Sequence, residues 1–93
     1  MMSRIERKIP GGKLVRLDVG VVDGVVRSVV MTGDFFLHPE DALKDIEDGF
    51  VGATTASLAQ VARSLEMSLE SEGVRCLGFS IADLESMIGE ALP

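Results

Sequence analysis

The hydrophobic period of this chain changes once, and the change limits the folds open to it. Val15, Leu17, Val19 and Val21 alternate with Arg16, Asp18 and Gly20. A period of two places the apolar residues on one side of a strand. Asp23-Gly24 follows, then a second valine-rich run from Val25 to about Met31. Asp-Gly between two such runs favours a two-residue type I′ turn, because both positions need positive φ. The phase of the second run is untidy: Val29 and Met31 share a face and Val26 does not. Either a bulge near Arg27-Ser28 restores one apolar face, or both faces are partly covered. Upstream, Ile5, Arg7 and Ile9 alternate with Arg4, Glu6 and Lys8, and Pro10-Gly11-Gly12 is strong turn punctuation. The reading is a three-stranded antiparallel meander with strands at about 3–9, 13–22 and 25–32.

After residue 38 the period lengthens to that of a helix. His38-Pro39-Glu40-Asp41 carries start signals: a proline preset for the first helical position and two carboxylates suited to the positive end of the dipole. Leu43, Ile46 and Phe50 form one stripe, and Gly49 and Gly52 mark the exit. Thr54, Thr55 and Ser57 are candidate N-caps for a longer stripe of Leu58, Val61, Ala62, Leu65 and Leu69, which Gly73 ends. Ser80 and Asp83 stand as an acidic capping box, with Phe79 and Leu84 as its hydrophobic staple. Leu84, Ile88 and Ala91 face inward. Helices are therefore placed at about 39–50, 56–72 and 81–91. Strands followed by helices give an α+β class, with the three helices packed on one face of the meander. The 93 residues suffice for one domain, 1–93.

Charge is unevenly placed. Residues 1–16 hold Arg4, Arg7, Lys8, Lys13 and Arg16 against Glu6 alone, whereas residues 34–93 hold twelve acids and three bases. The formal net charge of −6 argues against a nucleic-acid binder. A basic head on an acidic body steers toward an anionic ligand or an acidic partner, or simply solvates strand edges. Apolar runs are too short to span a membrane. The N-terminal residues have no apolar core and no small-residue cleavage site. A single cysteine, Cys76, makes no internal disulfide, so a cytoplasmic setting is expected.

Two segments stand out as candidate sites. Thr32-Gly33-Asp34-Phe35-Phe36-Leu37 joins the last strand to the first helix, and adjacent phenylalanines are unusual in a connection. Neighbours in an extended segment face opposite ways, so one ring plugs the core and the other meets a partner, unless the helix start buries both. Asp34 suits turn chemistry or ligand contact. Pro10-Gly11-Gly12-Lys13 looks like a fragment of a phosphate loop, but Arg7 stands where the motif needs Gly and Leu14 where it needs Ser or Thr. Gly11 and Gly12 expose backbone N–H groups and Lys13 adds a mobile charge, an arrangement that fits either a contribution to an anion site completed by another chain or a plain hairpin turn with a solvated lysine. His38 reads as a cap, and Cys76, which lies between two helices in the sequence, as buried packing. No His–acid pair stands near any serine, and Asp41/Asp45 and Glu66/Glu70 read as solvated helix faces.

Taken in order, Lys8-Ile9-Pro10-Gly11-Gly12-Lys13-Leu14-Val15-Arg16, then Asp23-Gly24, then Thr32-Gly33-Asp34-Phe35-Phe36-Leu37-His38-Pro39-Glu40 resembles the accessory domain of lipoate–protein ligases. In some organisms this domain is a separate small subunit. The resemblance covers nearly the whole chain. It implies a fold similar to the iron–sulfur scaffold type, an antiparallel sheet with helices on one side. A scaffold role itself would need several thiolates. The resemblance further implies a heterodimer with a large catalytic subunit that binds ATP, a divalent metal and lipoate. That subunit forms lipoyl-AMP and passes the lipoyl group to a lysine of an acceptor domain. The small subunit serves chiefly the adenylation step, binds no cofactor alone and has no assigned catalytic residue. Gly11, Gly12, Lys13, Thr32, Gly33, Asp34, Phe35 and Phe36 are accordingly the expected contacts with the partner and its adenylate site. The competing readings are a stand-alone protein-binding or sulfur-transfer adaptor of the scaffold fold, and a small enzyme in its own right.

Overall fold

In the computed structural model, which describes residues 1–93, the alternating half forms β1 (Met2–Lys8), β2 (Leu14–Val22) and β3 (Val25–Gly33). They pair antiparallel in the order β1-β2-β3. Asp23 and Gly24 both take positive φ, 53° and 75°, the type I′ geometry that matches the twist of the flanking strands. The untidy phase of β3 resolves as a bulge. Gly20 faces Ser28 and Val21 faces Val26, which leaves Arg27 as the extra residue. One inserted residue brings both Val26 and Val29 onto the buried face.

That face holds Val15, Leu17, Val19, Val26, Val29 and Met31, all under a tenth exposed. Three helices lie on that side: α1 (Ala42–Gly49), α2 (Leu58–Ser71), which packs on the other two, and α3 (Ile81–Ala91). α1 lies against β3, and α3 against β1 and β2. Ile46, Phe50, Ala62, Leu69, Leu84, Met87 and Ile88 fill the space between helices and sheet. The core is one cluster of 20 apolar residues with no buried polar residue. The architecture is α+β, an antiparallel meander followed by three helices on one side. No helix is long and apolar enough to cross a membrane.

Two short strands were not anticipated. β4 (Phe36–His38) and β5 (Arg75–Leu77) pair antiparallel as a separate small sheet. The chain is thus held extended through His38, and α1 begins at Ala42 rather than at Pro39. Pro39 and Glu40 instead accept turn bonds from Ala42 and Leu43. The helix starts divide as their side chains dictate. Ser80 and Asp83 exchange the two hydrogen bonds of a capping box at α3. Ahead of α2, Thr54 and Ser57 exchange backbone-to-hydroxyl bonds with each other, so Thr54 caps the turn that leads into the helix.

The two edges of the large sheet differ. β3's edge is covered: Val26 donates to Ala53 O and accepts from Gly52 N–H, and the Met31 N–H donates to the Glu47 carboxylate at 2.8 Å. β1's edge carries no such partner. On the face away from the helices, Arg4 pairs with Asp18 and Arg16 with Glu6 across the strands. The hydrogen bond from Arg4 holds the Asp18 carboxyl below its ordinary range.

Phe50, fully buried at the end of α1, tests the core directly. Phe50→Ala is expected to lower the unfolding free energy by about 3–5 kcal/mol. The loss should read as a lower urea midpoint at unchanged slope. It is a large fraction of the 5–15 kcal/mol typical of whole domains.

Candidate functional site

The β1–β2 turn closes with a hydrogen bond from Gly12 N–H to Ile9 O at 2.8 Å and another from Ile9 N–H to Lys13 O. Pro10 and Gly11 occupy its central positions, Gly11 at φ 73°. This is type II geometry, which demands glycine at the third place. The next residue meets another part of the chain. Lys13 N–H donates to Gly78 O at 3.2 Å, and a Cβ on Gly12 would stand 2.6 Å from that same oxygen. The turn therefore lies backbone against backbone on the connector between β5 and α3. The expectation that Gly11 and Gly12 both expose their N–H groups is corrected here: Gly12 has a partner, and Gly11 keeps a free N–H.

A second close passage sits beside it. Gly33 has φ 145°, and a Cβ there would fall 2.2 Å from Leu14 O. Asp34 N–H donates to the same Leu14 oxygen at 3.0 Å. This clamp turns the chain off β3 and sends Phe35 and Phe36 in opposite directions. Phe35 is half-buried against the core and meets Phe79 edge-on, with ring centroids 5.3 Å apart. Phe36 is 60% exposed and stands in register with Leu77, itself 58% exposed. Phe35, Phe36, Leu37, Glu40 and Leu43 line a shallow groove of about 260 Å³.

The fold thus gathers Gly11, Gly12, Lys13, Gly33, Asp34, Phe35 and Phe36 at one end of the sheet. Thr32 does not join them: it faces outward in register with Arg16, on the side away from the helices. Folding also redistributes the basic head. Arg4, Arg7 and Arg16 pair with Asp18, Glu90 and Glu6. Lys8 and Lys13, which flank the glycine turn, take part in no ion pair. The unneutralised charge of the head is concentrated at the gathered end.

Several participants escape a reading of the sequence. Leu77, Gly78 and Phe79 supply a wall: the glycine turn rests on Gly78, Phe35 on Phe79, and Phe36 lies opposite Leu77. The available signal was Arg75 between the apolar Val74 and Cys76, too short to separate from a connector. Cys76 proves to be a strand residue that packs half-buried against the core, and burial pushes its thiol up toward the unreactive protonated form. His38 is exposed on β4, in register with Arg75. The end as a whole offers an ammonium group, a free backbone N–H and an exposed aromatic–aliphatic pair. That is the chemistry of contact with an anion and with an apolar protein surface.

No family model and no curated protein matches this sequence. Among solved structures, the chain is similar to a chain from a structural study of the lipoylation system of Thermoplasma acidophilum, an archaeon. That system comprises a bipartite lipoate protein ligase and its E2 lipoyl domain. The likeness covers 94% of this chain and 93% of the other, with a TM-score of 0.75 and 24% identity. At that identity the comparison establishes the shared fold: a three-stranded antiparallel meander and its helices, matched across almost the full length of both chains.

Proposed function

We propose that this chain is the noncatalytic accessory subunit of a two-subunit lipoate–protein ligase, required when lipoate is activated to lipoyl-AMP. The observation that carries the reading is the gathered end, where two unneutralised lysines, a glycine turn and the exposed Phe36–Leu77 pair lie together. The full-length likeness to a chain from a system built on a bipartite ligase supports it, as does the ordered resemblance of the sequence.

In such a ligase the lipoate carboxylate attacks the α-phosphorus of ATP and pyrophosphate leaves. An acceptor lysine then attacks the lipoyl carbonyl and AMP leaves. ATP, the divalent metal and lipoate sit in the large subunit. This chain's residues act on the first step from outside. Phe36 and Leu77 anchor the docking, since buried aromatic and aliphatic groups dominate many interfaces. Gly12 fixes the turn against Gly78, and Gly33 fixes the start of the aromatic segment against Leu14. Lys13, so held, places its ammonium where negative charge develops as pyrophosphate departs. An interaction of that kind is realised mainly in the transition state.

The experiment is reconstitution: the purified chain is added to its large subunit and lipoate-dependent exchange between ATP and pyrophosphate is followed. Strong stimulation is expected, and none would overturn the reading. Two variants refine it. Phe36→Ala should weaken binding to the large subunit by about 2 kcal/mol or more and leave the fold intact. Phe35→Ala should instead show its effect in stability, because its ring packs on Phe79. Titration calorimetry and urea unfolding on both variants separate the two outcomes. Lys13→Ala should slow lipoyl-AMP formation by roughly tenfold or more, the factor that about 1.4 kcal/mol of lost stabilisation produces. Transfer from preformed lipoyl-AMP, which no longer contains pyrophosphate, should be nearly unchanged. Equal slowing of both half-reactions would assign Lys13 to docking instead.

A further inference from the structure

β1 ends the large sheet, and its hydrogen-bonding parity is fixed. Met1 and Val21 exchange backbone bonds at 2.8 and 2.9 Å, and Ile9 N–H donates to Lys13 O at 3.1 Å. Odd-numbered residues of this segment therefore bond to β2. In an antiparallel ladder the alternate residues turn the other way, so Met2, Arg4, Glu6 and Lys8 direct their N–H and C=O groups outward. No loop or side chain takes those groups, in contrast to the covered edge of β3. The same four residues place their side chains on the helix-free face, all exposed.

We propose that this edge pairs antiparallel with β1 of a second copy of the chain, about a twofold axis at Ile5, to make a continuous six-stranded sheet. Parity and charge select that register together. Centred on Ile5, Arg4 lies opposite Glu6 of the second copy and Met2 opposite its Lys8, and all four are outward-bonding residues. The row across the dimer then reads Asp18, Arg4, then Glu6 and Arg16 of the second copy, with signs alternating throughout. It extends the two ion pairs already present within each chain. The neighbouring registers of correct parity set Arg4 against Arg4 or Glu6 against Glu6, and like charges directly opposite are destabilising. On the helix side Arg7, held by Ser86 and Glu90, faces Ser3 of the second copy and not a second arginine. Ile5 meets Ile5 at the axis.

The proposal does not rest on the ligase reading, and its test uses the full chain alone. Sedimentation across a concentration series should show a monomer–dimer equilibrium. R4E and E6R should each shift it toward monomer by at least about tenfold, because one edge becomes all acidic at its centre and the other all basic. An equimolar mixture of R4E and E6R should recover the dimer, since each carboxylate again meets a guanidinium. Glu6→Pro removes an outward N–H together with the Glu6 carboxylate that pairs with Arg16, and leaves the Arg4–Asp18 pair in place; it too should be monomeric, with its far-UV dichroism unchanged. A wild-type chain that stays monomeric at its highest soluble concentration overturns the proposal. So does a dimer that survives all three substitutions, or a mixture of the two charge variants that stays monomeric.

Discussion

At two places in this protein the main chain runs so close to itself that no side chain fits between. Gly12 lies on the Gly78 carbonyl and Gly33 on that of Leu14. These contacts convert three separate stretches, the β1–β2 turn, the exit from β3 and the approach to α3, into one rigid corner. The hydrogen bonds Lys13 N–H to Gly78 O and Asp34 N–H to Leu14 O complete it. Without the first contact the turn would swing free, and Lys13 would carry no defined position. Without the second, β3 would continue straight, and Phe35 would not reach Phe79. Backbone approach of this kind tolerates only glycine. The two glycine segments that stand apart in the sequence thus belong to one physical arrangement.

Most of the large-scale architecture follows from periodicity. The alternation from Val15 to Val21, Asp23-Gly24 and the helical stripes each bury many residues, so their signals add over long windows. The bulge near Arg27 was legible as one of two ways to reconcile Val26 with Val29, and the pairing with β2 selects it over a strand covered on both faces. Short elements were not legible. β4 and β5 have three residues each, and each exists only because the other is there to pair with it. For the same reason the start of α1 moved from Pro39 to Ala42: a distant strand holds His38 extended, and helix-start chemistry cannot override it.

The candidate site divides along a similar line. That one of Phe35 and Phe36 faces inward and the other outward follows from the alternation of extended chain. Which one does so is decided by Phe79, far away in sequence. The basic head looked uniform, yet folding neutralises the three arginines and spares the two lysines. The arginines lie where the register sets carboxylates opposite them or where α3 supplies Glu90. Lys8 and Lys13 lie at the turn, beyond the reach of those partners. Local composition gives the amount of charge, and pairing decides where it remains available.

The covered edge of β3 has a dynamic consequence. Glu47 grips the Met31 amide from within α1, and Gly52 and Ala53, just after that helix, bond both backbone groups of Val26. The helix and the strand edge are fastened at two points, so neither loosens without the other. In native-state hydrogen exchange the Val26 and Met31 amides are expected to open together with the α1 amides as one cooperative unit. The outward amides of Arg4, Glu6 and Lys8 have no such fastening within the chain and exchange as freely as surface groups. A single sheet therefore carries one margin that is locked by its own helix and another that is protected only by what binds to it.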